Sequence, residues 1–479
     1  MQSFPLRTGE PRAIPKKSKL LPGYLRDLGY STHLVGKWHV GYHAPQYTPT
    51  NRGFETFFGY YNGYIDYFNH TVSEYPGSPA HVGNDLHRDK SAKLSPEFAT
   101  GYLTDLITEE TEKIISKHNS SRPLYLQVSH LASHATGVNG EELQVRDANS
   151  LNITFGYIKD IKRRQYAGVI TALDESVGRI VEALRKANLL NDSIILFMSD
   201  NGAQTEGLLQ NYGSNYPLRG LKFTMYEGGV RGVACIYSPL IRKSSRVSEQ
   251  LIHITDWLPT LYSAARGNVC RLKNLDGVDQ WDAIRSGKSS KRNRLLVNID
   301  NDAGEESAII GRYKLVKRSK ITYGSYYGDD GEDESYPKYE PLNVRSSLAG
   351  SAISTVSSGW WLREVMIKKL RRSSKLSCRG PTHFPNCTGN CLFDIYADPC
   401  ETIDISSRYP KILTDLRDYI DGYKKLVVNQ TNYLTDPAAY PDNFNGTWMP
   451  WRKDDLEEDN DNDDDDDDND CDEKDRIRR

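Results

Sequence analysis

The sequence predicts an α/β protein: a mostly parallel mixed sheet covered by helices, followed by a smaller C-terminal α+β subdomain. Three observations point to this class. Helical patterns alternate with short apolar runs over the first three hundred residues, as in parallel sheets that helices cover. Polar clusters follow several of those runs. Beyond about residue 300 the composition changes to Gly, Ser, Asp and Tyr, and then to a group of cysteines.

The first elements are short and well marked. Residues 20–28 have the pattern of a helix that Gly29 ends, and Thr32-His-Leu-Val predicts a strand that ends at Gly36-Lys37. The spacing across 102–115 indicates a second helix, and residues 123–128 predict the next strand.

The clearest helix is predicted for about residues 157–186, with Asn188 able to close it. Its apolar residues fall on one face at helical spacing, namely Val169, Ile170, Leu173, Val177, Ile180, Val181 and Leu184. The apolar residues 193–198 that follow predict a buried strand.

The C-terminal part has a different pattern. Residues 323–339 predict a long exposed loop, Cys391-Leu-Phe-Asp-Ile a strand, and residues 410–423 an amphipathic helix. The chain from 454 to 479 predicts a disordered acidic tail, since a block of like charge cannot form a core. A calcium-capturing role for the tail is an alternative. We therefore divide the chain into units at 1–300, 301–453 and 454–479.

Charge is distributed unevenly along the 479 residues. The formal net charge is −3, but residues 454–479 hold 16 acidic and four basic side chains, so the chain before residue 454 carries about +9. That excess suits a polyanionic substrate, although an ordinary surface balance explains it equally well.

No apolar run approaches the roughly 18 residues of a membrane span, and the sequence contains no nucleic-acid-binding module. The first residues lack the apolar core of a signal peptide.

Other features favour the secretory pathway. Seven Asn-x-Ser/Thr sequons begin at Asn69, Asn119, Asn152, Asn191, Asn386, Asn429 and Asn445. Four cysteines at 378, 387, 391 and 400 predict a disulfide-stapled loop with three possible connectivities, and a zinc site is the alternative. Cys235 lies in an apolar stretch and predicts a buried free thiol. We expect a lysosomal or secreted protein whose signal peptide is not in this sequence.

Polar side chains follow three predicted strands. Lys37 and His39 follow the first, His134 lies beyond the second, and Asp200 comes directly after the third. Ligands of such sheets bind beyond the carboxyl ends of the strands. Lysine can neutralise an oxyanion and histidine can protonate a leaving oxygen. Taken singly, each of these residues is as well explained by a surface lysine or a partly buried histidine, and His130 competes with His134.

Two further residue groups complete the candidate site. Asp200 and Asn201 offer oxygen ligands that suit Ca²⁺ or Mg²⁺, although Asp-Asn-Gly is more often only a turn. Two ligands are too few for Ca²⁺, so others must come from elsewhere. Lys222 lies within residues 216–232, a segment rich in Gly and Arg that suits close backbone packing around an anion.

These motifs resemble those of the type I sulfatases. The resemblance rests on Gly-Lys-Trp-His at 36–39, Ser-Asp-Asn-Gly at 199–202, Pro-Leu-Arg-Gly-x-Lys at 217–222 and Glu-Gly-Gly-Val-Arg-Gly at 227–232. Residues 251–261 and Cys391-Leu-Phe-Asp-Ile-x-x-Asp-Pro resemble the arylsulfatase B branch in particular. The resemblance covers roughly residues 4–451.

The resemblance implies an alkaline-phosphatase-like fold and sulfuric ester hydrolysis of sulfated glycosaminoglycans or aryl sulfates. For the arylsulfatase B branch, the substrate is the 4-sulfate of N-acetylgalactosamine in dermatan or chondroitin sulfate. It implies that Asp200 and Asn201 bind one Ca²⁺ and that Lys37 and Lys222 hold sulfate oxygens. His39 would orient or deprotonate the nucleophile, and His134 would protonate the leaving oxygen.

The family's nucleophile is a formylglycine hydrate made from the Cys of a Cys-x-Pro-Ser-Arg segment, and this sequence contains no such segment. The early strand that completes the family's calcium site is also missing. We expect Met1 to correspond to an internal residue of a longer sulfatase, and this chain to be inactive and destabilised as it stands. A non-catalytic relative that binds sulfated glycans is the alternative, and a phosphodiesterase or phosphatase of the same superfamily fits the motifs less well.

Overall fold

The computed structural model describes residues 5–76, 78–137, 142–301, 303–317, 336–356, 362–376, 378, 387, 389–428 and 433–453. Most of the predicted 323–339 loop, the sequons at Asn386 and Asn429, and the acidic tail lie outside the described residues. The described strands are β1 Ser31–Lys37, β2 Thr56–Tyr60, β3 Thr71–Val72, β4 Gly83–Asn84, β5 Leu86–Lys90, β6 Leu124–Ser129, β7 Ile195–Met198, β8 Ala234–Tyr237, β9 Arg294–Asp300, β10 Glu305–Ile310, β11 Tyr313–Lys317 and β12 Asn390–Asp394.

The described helices match the predicted ones and add several short ones. They are α1 Leu21–Asp27, α2 Leu103–Lys117, α3 Ala148–Phe155, α4 Ile161–Lys186, α5 Glu227–Val230, α6 Trp257–Ala264, α7 Trp281–Ser286, α8 Pro341–Ser346, α9 Leu348–Val356, α10 Glu364–Ser374 and α11 Pro410–Lys424. Helix α4 begins later than predicted because the Asp160 side chain caps it by accepting from the Arg163 N–H. Asn188 follows its end with φ +58°.

The main sheet is mixed, with strand order β5-β2-β1-β6. Strand β1 runs parallel to both β2 and β6, whereas β5 is antiparallel to β2. Close backbone approach at the carboxyl end of β1 depends on Gly36, which has φ +105° and where a Cβ would lie 2.0 Å from the Ser129 carbonyl oxygen. The predicted mixed α/β architecture is confirmed.

Both faces of this sheet are covered. On one face Val35 and Phe58 pack with α2 and α4 residues such as Leu103 and Val169. On the other face the sheet packs against the C-terminal segment, where Trp448 is fully buried and donates to the Val72 carbonyl at 3.0 Å. The buried stripe of α4 is narrower than predicted, since Ile170 is 36% exposed.

Strand β7 differs from its prediction as a buried strand. It pairs antiparallel with β8, its only partner among the described strands, and its Phe197 side chain is 38% exposed. Cys235 lies on β8, so the predicted buried thiol is wrong and the free thiol is exposed. Phe197 and Cys235 are exposed for the same reason, because no described element covers that face of the β7–β8 pair.

The C-terminal part is built on an antiparallel sheet of order β12-β11-β10-β9, and α11 packs against it through Leu416 and Ile420. The four clustered cysteines form two disulfides, Cys378–Cys400 and Cys387–Cys391. The division at residue 300 stays a prediction. Within the described residues no helix is both long and apolar enough to cross a membrane.

Candidate active site

The carboxyl ends of three strands bring the predicted residues together. Lys37 is the last residue of β1, His134 follows β6 by five residues, and Asp200 follows β7 by two. Lys222 reaches the same place from a separate loop, because its Nζ lies 3.4 Å from His134 Nε2. The loop that holds Lys222 is fixed through its backbone, where the Lys222 N–H donates to the Ala203 carbonyl at 3.2 Å.

Two lysines contribute the positive charge of the site. Burial lowers the pKa of Lys37 to about 8; Asp200 opposes this and Lys222 adds to it. Burial also lowers the pKa of Lys222, again opposed by Asp200. The two ammonium groups and the Asp200 carboxylate therefore interact within one partly buried site, where charges act on each other more strongly than in water.

His134 is oriented by its neighbours. Its Nδ1 lies 2.7 Å from the Ala135 carbonyl oxygen, which only accepts, so Nδ1 carries the hydrogen in the neutral ring. Nε2 then presents its lone pair to the Lys222 ammonium. Burial lowers the pKa of His134 well below its usual value, and Lys37 and Lys222 lower it further. The ring is consequently neutral near pH 7.

His39 lies just beyond the end of strand β1. The strand ends at Lys37, and His39 has φ +52°, so its side chain does not continue the alternation of the strand. The His39 Nε2 lies 2.9 Å from the Leu6 carbonyl oxygen, and its ring packs close to Gly63. Burial, followed by the charge of Lys37, lowers the pKa of His39 to about 3. The charges of Lys37 and Lys222 both act on His39, so His39 lies close enough to the two lysines to be part of the site.

His130 lies elsewhere. Its Nε2 is 3.3 Å from the Ser176 hydroxyl on α4, and burial alone lowers its pKa to about 4. The absence of any influence from Lys37 or Lys222 on this pKa separates His130 from the lysine pair. The geometry thus supports His134 over His130.

Asp200, Asn201 and Gly202 form the turn after β7. Gly202 is required by close packing, since a Cβ there would lie 1.7 Å from the Gly228 carbonyl oxygen, and its N–H donates to the Gly229 carbonyl at 2.9 Å. Asp200 is exposed, and the Asn201 amide donates to the Gly202 carbonyl at 2.9 Å.

Calcium fits this turn only in part. A carboxylate and an amide oxygen are suitable ligands, but Ca²⁺ takes about six to eight oxygens. Among the described residues no group of three or more His, Cys, Asp or Glu side chains could hold a metal ion. The described residues therefore supply two ligands and do not complete a calcium site.

Sequence reasoning missed a buried ionic cluster behind the Lys222 loop. Lys314 on β11 is fully buried, and its Nζ lies 2.9 Å from both Glu227 Oε1 and Glu401 Oε1. Glu401 also accepts from the Glu227 N–H at 2.6 Å, and its carbonyl accepts from Arg219 at 3.0 Å. Both ends of the Lys222-bearing segment are thus attached to the C-terminal part. The signal in the sequence was weak, because Lys314 is one of two lysines in the short strand β11.

The two arginines of this segment, Arg219 and Arg231, contact other side chains. Arg219 is buried, and its guanidinium carbon lies 4.1 Å from the Tyr226 ring centroid. Arg231 is exposed, with its Nη1 3.7 Å from Glu227 Oε2. Of the cations in this segment, Lys222 is the one that contacts His134.

With this geometry established, the comparisons define the class of protein. The Sulfatase family profile matches residues 3–267, and this chain belongs to the sulfatase family. It is 33% identical over 462 residues to arylsulfatase J of Mus musculus, covering 95% of this chain and 70% of that protein.

A second relative is N-acetylgalactosamine-6-sulfatase of Homo sapiens, 26% identical over 281 residues, which cover 58% of this chain and 51% of that enzyme. The chain therefore spans about half the length of that relative. Among solved structures, Ps i-CgsB is 21% identical with a TM-score of 0.62, covering 91% of this chain and 79% of its own. PsFucS1 sulfatase from Pseudoalteromonas sp. is 16% identical with a TM-score of 0.58, covering 88% and 76%. These two likenesses show the fold.

Sulfate is expected to raise the pKa of His134. Lys37 and Lys222 lower that pKa by repelling the imidazolium, and a dianion between the two ammonium groups would offset the repulsion. In ¹⁵N-histidine NMR titrations, the His134 midpoint should rise on addition of inorganic sulfate while that of His130 stays unchanged. Equal shifts of both rings, or none at His134, would contradict the shared anion site.

Proposed function

We propose that this protein is a sulfuric ester hydrolase of the arylsulfatase B type whose anion site is formed by Lys37, Lys222 and His134. The observation that carries the proposal is the convergence of two partly buried lysines and a neutral histidine in a chain of the sulfatase family. Two cations at one strand-end site suit a group with several anionic oxygens.

Each residue has a role that its position supports. Lys37 and Lys222 hold sulfate oxygens and stabilise the negative charge that develops on them in the transition state. His134 Nε2 faces Lys222 and delivers a proton to the leaving oxygen. Because Nδ1–H is held by the Ala135 carbonyl, the proton that Nε2 delivers comes from solvent or from the Lys222 ammonium. His39 orients the nucleophile.

The nucleophile and the metal are proposed from the family resemblance. Formylglycine supplies the attacking hydroxyl in such enzymes, and the printed sequence contains no Cys-x-Pro-Ser-Arg segment from which it is made. Asp200 and Asn201 are proposed as calcium ligands, with further oxygens from groups outside the described residues.

The substrate proposed is the 4-sulfate of N-acetylgalactosamine in dermatan or chondroitin sulfate. The excess of basic residues before the acidic tail supports a polyanionic substrate. Two disulfides and five exposed sequon asparagines, Asn69, Asn119, Asn152, Asn191 and Asn445, support a lysosomal or secreted protein. A glycan-binding protein without turnover is the second candidate, since two partly buried lysines would also bind a sulfate group without hydrolysing it.

The native protein is expected to hydrolyse 4-nitrophenyl sulfate, to lose activity in EDTA and to regain it with Ca²⁺. Peptide mass mapping of the same preparation should find formylglycine in a Cys-x-Pro-Ser-Arg context. The Asp200→Asn variant should need more Ca²⁺ for half-maximal activity because it loses a charged ligand, whereas Asp192→Asn, on the loop before β7, should not.

The outcomes separate the two candidates. Turnover together with a formylglycine peptide supports the hydrolase. Saturable dermatan sulfate binding without turnover and without formylglycine supports the glycan-binding protein. Failure to bind either sulfate or dermatan sulfate would rule out both.

A further inference from the structure

Phe223, directly after Lys222, has an unusual backbone. Its φ is +76°, in the left-handed region that bulky residues rarely adopt. The turn that contains it is tight: Gly220 has φ +86°, and the Thr224 N–H donates to the Leu221 carbonyl at 3.0 Å. Strain of this kind persists where surrounding contacts enforce it, and such residues cluster at functional sites.

The ring of Phe223 lies next to Lys222. The residue is 39% exposed, although an aromatic ring gains free energy by burial. Lys222 Nζ is 5.7 Å from the ring centroid and 3.4 Å from His134 Nε2. A partly exposed aromatic face is therefore held next to the cation that contacts the proposed proton donor.

Two other bulky residues with positive φ, Tyr212 and Leu209, are less exposed than Phe223. The Tyr212 hydroxyl, at φ +57°, donates to Glu142 Oε2 at 2.5 Å. Leu209, at φ +58°, packs against the core cluster that contains Tyr64. Phe223 differs from these two residues in its larger exposed fraction and in its position beside Lys222.

We propose that Phe223 is a specificity-determining residue whose ring packs against the ring that carries the sulfate ester. The inference rests on the proposed function, because it takes Lys222 as a sulfate ligand. A sulfate held by Lys222 places the first atoms of its ester group within reach of the neighbouring phenyl face. Aromatic faces bind both aryl rings and the apolar C–H faces of pyranoses, so one platform serves both kinds of substrate.

The test measures affinities by isothermal titration calorimetry for inorganic sulfate and for N-acetylgalactosamine 4-sulfate. The Phe223→Ala and Phe223→Gly variants are expected to lose about tenfold or more in affinity for the sulfated sugar, with less than about threefold change for inorganic sulfate. Phe223→Tyr, which keeps the ring, should retain both affinities. These readings do not depend on turnover.

Stability provides the matched control. At position 223 the glycine variant should have a higher Tm than the alanine variant, because glycine adopts positive φ without strain. At Phe98, which is 70% exposed and has no positive φ, the order should reverse. Phe98→Ala and Phe98→Gly should leave both affinities unchanged. If Phe223→Ala and Phe223→Gly lose the same affinity for the sulfated sugar although their Tm values differ, the loss does not result from destabilisation of the fold.

Two results would overturn the inference. Equal losses of affinity for sulfate and for the sulfated sugar would show that Phe223 acts only through Lys222, and unchanged affinities would show that its ring does not contact the ligand. Failure of this inference can be told apart from failure of the proposed function. If the unsubstituted protein does not bind sulfate, the anion site itself is refuted, whatever the role of Phe223.

Discussion

Replacing Lys314 by methionine is expected to destabilise the folded protein by about 3–5 kcal/mol. Lys314 is fully buried, and its Nζ lies 2.9 Å from one carboxylate oxygen of Glu227 and one of Glu401. Burial alone would lower the pKa of Lys314, but the two carboxylates raise it. Methionine fills much of the same volume but removes the ammonium group from both buried carboxylates, and leaves Glu227 with only the exposed Arg231, 3.7 Å away, as a charged partner among these residues. Urea unfolding at pH 8 measures the loss.

The loss of stability in the Lys314→Met variant should depend on pH. Burial, with Glu227 adding to it and Lys314 opposing it, raises the pKa of Glu401 to about 7. A carboxyl group whose folded-state pKa is raised binds more protons in the folded state, so its contribution to stability is present at low pH and is lost as pH rises through the folded-state value. Removing Lys314 takes away the opposing charge and raises this pKa further. The variant should therefore lose less stability at pH 5 than at pH 8.

Two variants control this prediction. Lys368→Met removes an exposed i,i+4 pair with Glu364 and should cost less than about 1 kcal/mol. Adding Glu401→Gln to Lys314→Met should restore part of the stability at pH 8, because one unpaired charge is then absent. A loss no larger than that of Lys368→Met, or one independent of pH, would show that the cluster is not a stabilising ionic network.

Lys222→Ala is expected to weaken inorganic sulfate binding by about 10- to 100-fold, since a charge-assisted hydrogen bond contributes roughly 1.5–3 kcal/mol. In an active preparation, kcat/KM should fall about 10²- to 10³-fold, as when one stabilising donor of a developing anion is removed. The change also removes one of the charges that lower the pKa of His134. Calorimetry with sulfate and initial rates with an aryl sulfate check the two expectations.

The matched control is Lys186→Ala, which removes an exposed lysine near the end of α4. It should leave sulfate affinity and turnover unchanged within about twofold. Full sulfate affinity or full activity in Lys222→Ala would remove Lys222 from the anion site. An equal effect in both lysine variants would mean that overall charge, rather than a specific contact, controls binding.

Much of the candidate site could be predicted from the sequence. Lys37 and His134 follow two parallel neighbouring strands, β1 and β6, whose carboxyl ends lie at one edge of the main sheet, so their proximity follows from topology. Asp200 follows β7, which pairs with β8 outside that sheet, so its proximity to the lysines depends on the tertiary structure. The choice between His130 and His134 could not be made from spacing, since both follow the same strand. It depends on where Lys37 and Lys222 lie in space, which the pKa of each histidine reflects.

The sequence by itself determined the main elements, the residues at the strand ends and the family, because local periodicity, turn chemistry and motif order are properties of neighbouring residues. Only the tertiary structure decided that β7 pairs antiparallel with β8 and leaves Cys235 exposed, and that Lys314 reaches Glu227 and Glu401. These contacts join residues far apart in the chain, 87 positions for Lys314 and Glu227. No local pattern encodes which distant partners a strand or a buried charge will meet.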